Sequence, residues 1–161
     1  MQKITPKITP FLWFDDKAEE AANFYVSIFK NSKVISVDRV GKDDRSPGGN
    51  VIVARFQLEG QEFLALNGGP HHKFSEAISF FVNCETQQEV DDLWGKLLQG
   101  GKSINCGWLK DKYGLVWQII PAILQELLQD KDPAKSARVH QAMLKMQKIE
   151  IKALKEAYDQ S

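Results

Sequence analysis

The feature that most narrows the fold is a pattern that occurs twice. Ile8 to Phe14 is a short apolar strand. Asp15-Asp16 then opens a helix whose Ala18, Ala21, Ala22, Tyr25, Ile28 and Phe29 recur at helical spacing. Asp16 followed by Glu19 resembles a capping box with an acidic N-cap. Asn31-Ser32 ends that helix, and three extended segments follow. Lys33 to Val40 favours a strand through its valines and isoleucine, and Val51 to Leu58 turns at Glu59-Gly60 into Gln61 to Asn67. Between the first two of these segments, Gly41 to Asn50 reads as a polar loop. The order then restarts. Ala77 to Asn83 is an apolar strand, and Thr86-Gln-Gln-Glu89 is a full capping box. Val90, Leu93, Trp94, Leu97 and Leu98 line the next helix, and Gly100-Gly101 stops it. A short extended piece near Ser103 and Ile104 precedes a hairpin. Each half reads strand, helix, three strands, a repeat of pattern rather than of residue identity.

The hairpin spans Cys106 to Pro121. Asp111 to Gly114 supplies the turn chemistry between two runs rich in aromatic and branched residues, and Pro121 closes the second strand. Two registers are open. If Lys110 pairs with Leu115, Trp108 faces Trp117, while Val116, Gln118 and Ile120 take the other side. A bulge at Gly114 shifts the register and swaps those partners.

Composition bounds what such a chain does. Its 161 residues suit one domain, and 43% hydrophobic residues suffice for a sizeable core. Twenty-one basic residues balance 21 acidic ones, which argues against nucleic acid or an anionic membrane as partner. No run approaches a membrane span, and Met1-Gln-Lys-Ile-Thr-Pro6 has no apolar signal core. The two cysteines, Cys84 and Cys106, are therefore expected as free thiols in a cytoplasmic protein. The tail is helical. A short helix covers Ile123 to Gln129, Asp132-Pro133 caps a second over Ala134 to Lys148, and Ile149, Ile151, Leu154, Ala157 and Tyr158 carry apolar surface onward.

With that order in hand, the chain resembles the vicinal oxygen chelate superfamily, in its PhnB-like, demethylubiquinone-methyltransferase-like branch. The resemblance is carried by Ile8-Thr-Pro-Phe-Leu-Trp-Phe14, Ala18-Glu-Glu-Ala-Ala-Asn-Phe-Tyr25, Ala65-Leu-Asn-Gly-Gly-Pro70, Cys106-Gly-Trp-Leu-Lys-Asp111 and Tyr113-Gly-Leu-Val-Trp-Gln118. The tail Ala142-Met-Leu-Lys-Met146 through Ile149-Glu-Ile151 also fits. It implies an α+β fold of paired βαβββ modules forming a curved mixed sheet around a cleft, with a C-terminal helical tail, as a homodimer. One domain over residues 1–161 is expected, with modules at about 5–70 and 76–121 and the tail at about 122–161. Metal-binding members carry ligands at four strand positions. Here those fall near Thr9, near Ala65 or Asn67, at about Ala77, and at Gln118. Threonine and alanine are poor ligands for zinc, nickel or iron, so no metal and no cofactor are expected.

The expected function is small-molecule binding in the cleft, with the reaction unassigned. Thr9, Trp13, Arg55, Asn67, Cys106, Trp108 and Gln118 are the candidate ligand-binding residues. Trp108 offers a large apolar face, and Gln118 both a donor and an acceptor. His71-His72 reads as a solvated loop before it reads as a proton-transfer or metal site. Cys106 is a nucleophile only if a cation such as Lys110 activates it, and otherwise packs as a small hydrophobe. The alternatives are a metal-dependent lyase, isomerase or dioxygenase, a methyltransferase, and an interaction module that uses the tail helices. The methyltransferase reading lacks the glycine-rich turn between strand and helix that a nucleotide cofactor needs, because Gly68-Gly69-Pro70 leads toward another strand.

Overall fold

A computed structural model describes residues 6–39 and 51–160. Val40 and the polar loop expected at 41–50 lie outside the described residues. The chain divides into two compact units, 1–74 and 75–161. Its strands fall in two four-stranded mixed sheets, one in each unit.

The first unit runs β1 (Phe11–Phe14), α1 (Ala18–Ile28), β2 (Lys33–Arg39), β3 (Val51–Leu58) and β4 (Gln61–Asn67). The sheet order is β1-β4-β3-β2, with β1 parallel to β4 and the other pairs antiparallel. Strand alternation puts Leu12, Phe14, Ala54, Phe56, Phe63 and Ala65 on one face, where all six are buried. The helix meets them through Ala18, Ala21, Ala22, Tyr25 and Ile28. Its three alanines allow close approach, and Tyr25 stacks on Phe56 with ring centroids 6.2 Å apart.

How α1 starts differs from the expected box. The N-cap is Lys17 and its side chain makes no capping bond. Instead, the Ala18 N–H donates to Oδ1 of Asn67 at 2.8 Å, from the end of β4. The cap is thus supplied across 49 residues of chain. A helix lacks partners for its first N–H groups, so any well-placed oxygen will serve.

The second unit repeats the order with β5 (Phe80–Cys84), α2 (Gln87–Leu97), β6 (Lys102–Ser103), β7 (Trp108–Lys110) and β8 (Val116–Pro121). The sheet is β5-β8-β7-β6, again with the first pair parallel. Here Thr86 caps as expected, its Oγ1 accepting from Glu89 N–H at 3.2 Å, while Glu89 Oε2 accepts from Glu85 N–H at 2.7 Å, one residue ahead of the N–H that a full box would use. Val90, Leu93, Trp94 and Leu97 face the core of this unit, with Cys84, Leu109, Trp117 and Ile119 buried opposite.

Three tail helices follow, α3 (Ala122–Leu128), α4 (Pro133–Leu144) and α5 (Ile151–Asp159). Asp132 caps α4, accepting from Ala134 N–H at 2.9 Å. The second helix was expected to reach Lys148 but stops at Leu144. Residues 145–150 leave the helix, and two of their carbonyls accept bonds from the turn that precedes β7. Val139, Ile149 and Leu154 close around Ile120 and Leu124 as a small core of their own.

The cap at Asn67 gives a direct contrast. Asn67→Ala should lower the stability read by urea denaturation by about 1–2 kcal/mol, while Asp16→Ala should stay within about 0.5 kcal/mol of wild type.

Candidate functional site

In each unit the helix covers one face of the sheet, so the candidate side chains are sorted by which face they occupy. The β7–β8 hairpin decides this for the second unit. Asp111 lies at its turn and is 3% exposed. Its Oδ1 accepts from Tyr113 N–H at 2.9 Å and Leu115 N–H at 3.0 Å, and its Oδ2 from the Trp117 indole N–H at 2.9 Å. Gly114 closes the loop with φ +91°, and the Asp111 N–H donates to Leu115 O at 2.8 Å. A three-residue loop ending in a left-handed glycine is a bulged hairpin turn.

That turn selects the shifted register of the two left open by the sequence. Lys110 pairs with Val116, Leu109 with Trp117, and Trp108 with Gln118. Trp108 therefore faces Gln118 rather than Trp117. Trp117 turns to the helix side, where it lies 5.4 Å from Phe80 between ring centroids. Phe81 of β5 is also in register with Gln118, so Phe81, Gln118 and Trp108 cross the open face in one row. Phe81 is 43% exposed, and Trp108 and Gln118 are half-buried. Gln118 Nε2 donates to Ser79 Oγ at 2.9 Å. Lys110, on the same face, pairs with Glu76 at 2.8 Å, and its ammonium holds the Glu76 carboxyl below the ordinary carboxylate range. Lys110 is thus already paired with a carboxylate.

Cys106 is not a strand residue. It has φ +57° and precedes Gly107 at φ +84°, and the Trp108 N–H donates back to Asn105 O at 3.0 Å. Positive φ at both central positions is what a type I′ hairpin turn requires, and here it joins β6 to β7. Glycine suits this turn at 107, because a φ of +84° strains any L side chain and a Cβ there would stand 3.0 Å from Ile119 O. The other thiol, Cys84, is fully buried, and burial, with Glu89 adding to it, pushes its pKa up to about 12.

The first unit's candidates separate. Trp13 and Arg55 lie on the open face of their sheet, and Asn67 lies on the helix face as the cap of α1. The oxygen of Asn67 is committed to the fold. Arg55 pairs with Glu62 at 3.0 Å. Trp13 is held by the segment after β4: its indole N–H donates to Gly69 O at 2.9 Å, and the His72 ring meets it edge-on at 4.6 Å. A Cβ on Gly68 would fall 2.2 Å from the Trp13 ring, which accounts for the glycine. Thr9 is half-buried just ahead of β1, where Pro10 O accepts from Leu64 N–H at 2.9 Å.

Three residues of these sites were missed in the sequence. Asp111 read only as turn chemistry, although an aspartate, a glycine and an aromatic strand together are the signal for a carboxylate folded under a hairpin. Ser79 and Phe81 lie two and four residues beyond Ala77, the position to which the resemblance points. Counting back from the strand ends would have found them. Phe14 pairs with Asn67 and Cys84 with Pro121, so Thr9 and Ser79 occupy equivalent places five residues earlier.

The donors at the superfamily's metal positions do not fit a metal. Ala65 is buried on the helix face, Asn67 caps α1, and Gln118 meets a serine hydroxyl. Transition metals need imidazole, thiolate or carboxylate in number. Among the described residues, no three His, Cys, Asp or Glu are grouped to supply them.

Paired βαβββ units, each with one helix-covered and one open sheet face, define a protein of the glyoxalase/bleomycin-resistance fold. The fosfomycin resistance protein FosX of Listeria monocytogenes has the same fold, at 14% identity and TM-score 0.51 over 77% of this chain and 98% of that one. So has the protein PA1353 of Pseudomonas aeruginosa, at 19% identity and TM-score 0.61 over 73% and 98%. Within that fold class, the chain belongs to the family described as 3-demethylubiquinone-9 3-methyltransferase, whose model matches residues 6–120. It is 41% identical to a PhnB protein from Bacillus cereus, with TM-score 0.68, covering 73% of this chain and 100% of that one. No curated protein matches. The family match ends before α3, so the tail motif quoted from the sequence lies beyond it.

The donor chemistry yields a test. Incubation with EDTA should leave the melting temperature unchanged, and adding manganese or zinc should not raise it. About one ion per chain by elemental analysis, lost together with stability on chelation, would contradict this.

Proposed function

We propose that the protein binds a small planar or short polar molecule on the open face of the second sheet. The observation that carries this is the pairing of Trp108 with Gln118, with Phe81 in register on the other side. An exposed aromatic beside a half-buried indole offers apolar area, and one amide between them offers orientation. Small-ligand sites combine these two elements. Gln118 uses its NH₂ on Ser79, which leaves the amide oxygen to accept from a ligand donor. Trp13 and Arg55 occupy the corresponding face of the first sheet and stand as candidates within that unit by itself. Cys106, in the turn ahead of β7, and Thr9, ahead of β1, stay candidates, each within its own unit. Asn67 does not.

No reaction is assigned to this site. The family description names a methyl transfer, which in nucleotide-cofactor enzymes uses a glycine-rich turn from strand to helix. In this chain Asp15-Asp16-Lys17 joins β1 to α1 and Glu85-Thr86 joins β5 to α2, with no glycine in either connection. Binding is the reading that this geometry supports best.

We also read the protein as a cytoplasmic homodimer. Two free thiols suit a reducing compartment. No helix among the described residues is long and apolar enough to cross a membrane. Ile8, Ile78 and Leu144 are exposed large hydrophobic residues of the kind an interface covers.

Two measurements check this. Light scattering at micromolar concentration should give the mass of two chains, and a monomer mass unchanged on concentration would contradict it. Melting curves with candidate ligands should show that Trp108→Ala loses the ligand-induced shift and Gln118→Glu changes which ligands stabilise. If Trp108 serves packing alone, its truncation should instead cost about 3–5 kcal/mol of stability, with Gln118→Glu responding like wild type.

A further inference from the structure

The tail beyond the family match does more than cover apolar surface. From the end of α4 to the first residue of α5, residues 146–151 run across the Cys106–Gly107 turn. Met146 O accepts from the Cys106 N–H at 2.9 Å, and Gln147 O accepts from the Gly107 N–H at 2.7 Å. Ile149 Cγ1 lies 3.0 Å from where a Gly107 Cβ would stand, so the strap packs closely over the turn. The segment is fixed in turn by α2. Gln87 Nε2 donates to Ile149 O at 3.0 Å and Gln87 Oε1 accepts from Ile151 N–H at 2.7 Å, so one amide side chain pairs with the backbone as a strand neighbour would. Lys148 bridges Asp91 at 2.6 Å and Glu150 at 3.1 Å. The hydrogen bond that Lys148 donates to Asp91 holds the Asp91 carboxyl below its ordinary range and raises the pKa of the Lys148 ammonium.

We propose that residues 146–151 form a strap that sets the position of Trp108, and that Gln87 is the positioning residue that holds the strap down. Trp108 is the next residue after the strapped turn. One side of that turn is fixed by β8, through the Ile119 N–H on Gly107 O at 2.8 Å. Among the described residues, the other side is held by the strap's two carbonyls. Releasing the strap frees the backbone at Cys106 and Gly107 without breaking the β7–β8 register, which Asp111 maintains from the opposite end of the hairpin. Given the ligand site proposed above, docking of the tail and occupancy of the Trp108 face are then coupled in both directions.

The test needs no ligand, so it stands apart from the binding reading. Amide hydrogen exchange is measured at Cys106 and Gly107 in the full chain, for wild type, Gln87→Ala and Gln88→Ala. Gln88 is the neighbouring amide on α2, bonded to Asp92 at 2.9 Å and not to the strap. Labelling of the buried Cys84 thiol reports global unfolding in the same samples. Losing the two Gln87 bonds should speed exchange at Cys106 and Gly107 by about tenfold. Cys84 labelling and the Gln88→Ala variant should match wild type. Exchange unchanged in Gln87→Ala, an equal rise in Gln88→Ala, or a parallel rise in Cys84 labelling would each overturn the strap.

Discussion

The second unit depends on a buried carboxylate. Taking the charge of Asp111 out of water is costly unless donors replace the water. Three N–H groups do so, two from the backbone of its own turn and one from Trp117 on the next strand. Because the donors come from both, a slip by one residue would strand the carboxylate and the indole together. That penalty fixes the register, and the register fixes the faces. Trp117 goes to the helix side and completes the core with Phe80. Trp108 is left on the open side, beside Gln118. The candidate site exists because another tryptophan was drawn away by Asp111.

The doubled strand-helix-three-strand order was legible in the sequence because it rests on local periodicity and caps. The Thr86 cap, the turn at Glu59-Gly60, the placement of Trp94 in the core and the cap at Asp132 all follow from near neighbours. What failed were features set at long range. Asp16 looked like a cap, yet the oxygen comes from Asn67 at the end of β4, the strand beside β1. No periodicity reports a partner 49 residues away. Asn67 was for the same reason counted as a ligand contact. The strand of Cys106 proved to be a turn because two positive φ values were hidden behind a cysteine, a residue with no turn signature. The end of α4 was misplaced because its cause is a hydrogen-bond demand made by residues forty positions earlier.

Of the candidate site, Trp108 and Gln118 were legible as residues but not as a pair. The sequence left two registers, and the choice between them turned on one glycine. Gly114, at φ +91°, admits the extra residue that a β-branched side chain would have refused. The first unit shows the same dependence of identity on packing. Gly68 is small because the Trp13 indole occupies the space of a side chain. The two glycines of the Asn-Gly-Gly-Pro motif that helped mark the family are therefore explained by how they hold a tryptophan, and its asparagine by the cap on α1.

The β7–β8 register is open to direct measurement. The pairs Gly107–Ile119 and Asp111–Leu115 carry backbone hydrogen bonds, so Trp108–Gln118 is a pair without them, with Cα atoms roughly 4.5 Å apart. Hα protons of such a pair lie close enough for a strong nuclear Overhauser effect. The account predicts that effect between Trp108 Hα and Gln118 Hα in the wild-type protein. A strong effect between Trp108 Hα and Trp117 Hα in its place would show the other register, and would remove both the pair and the site built on it.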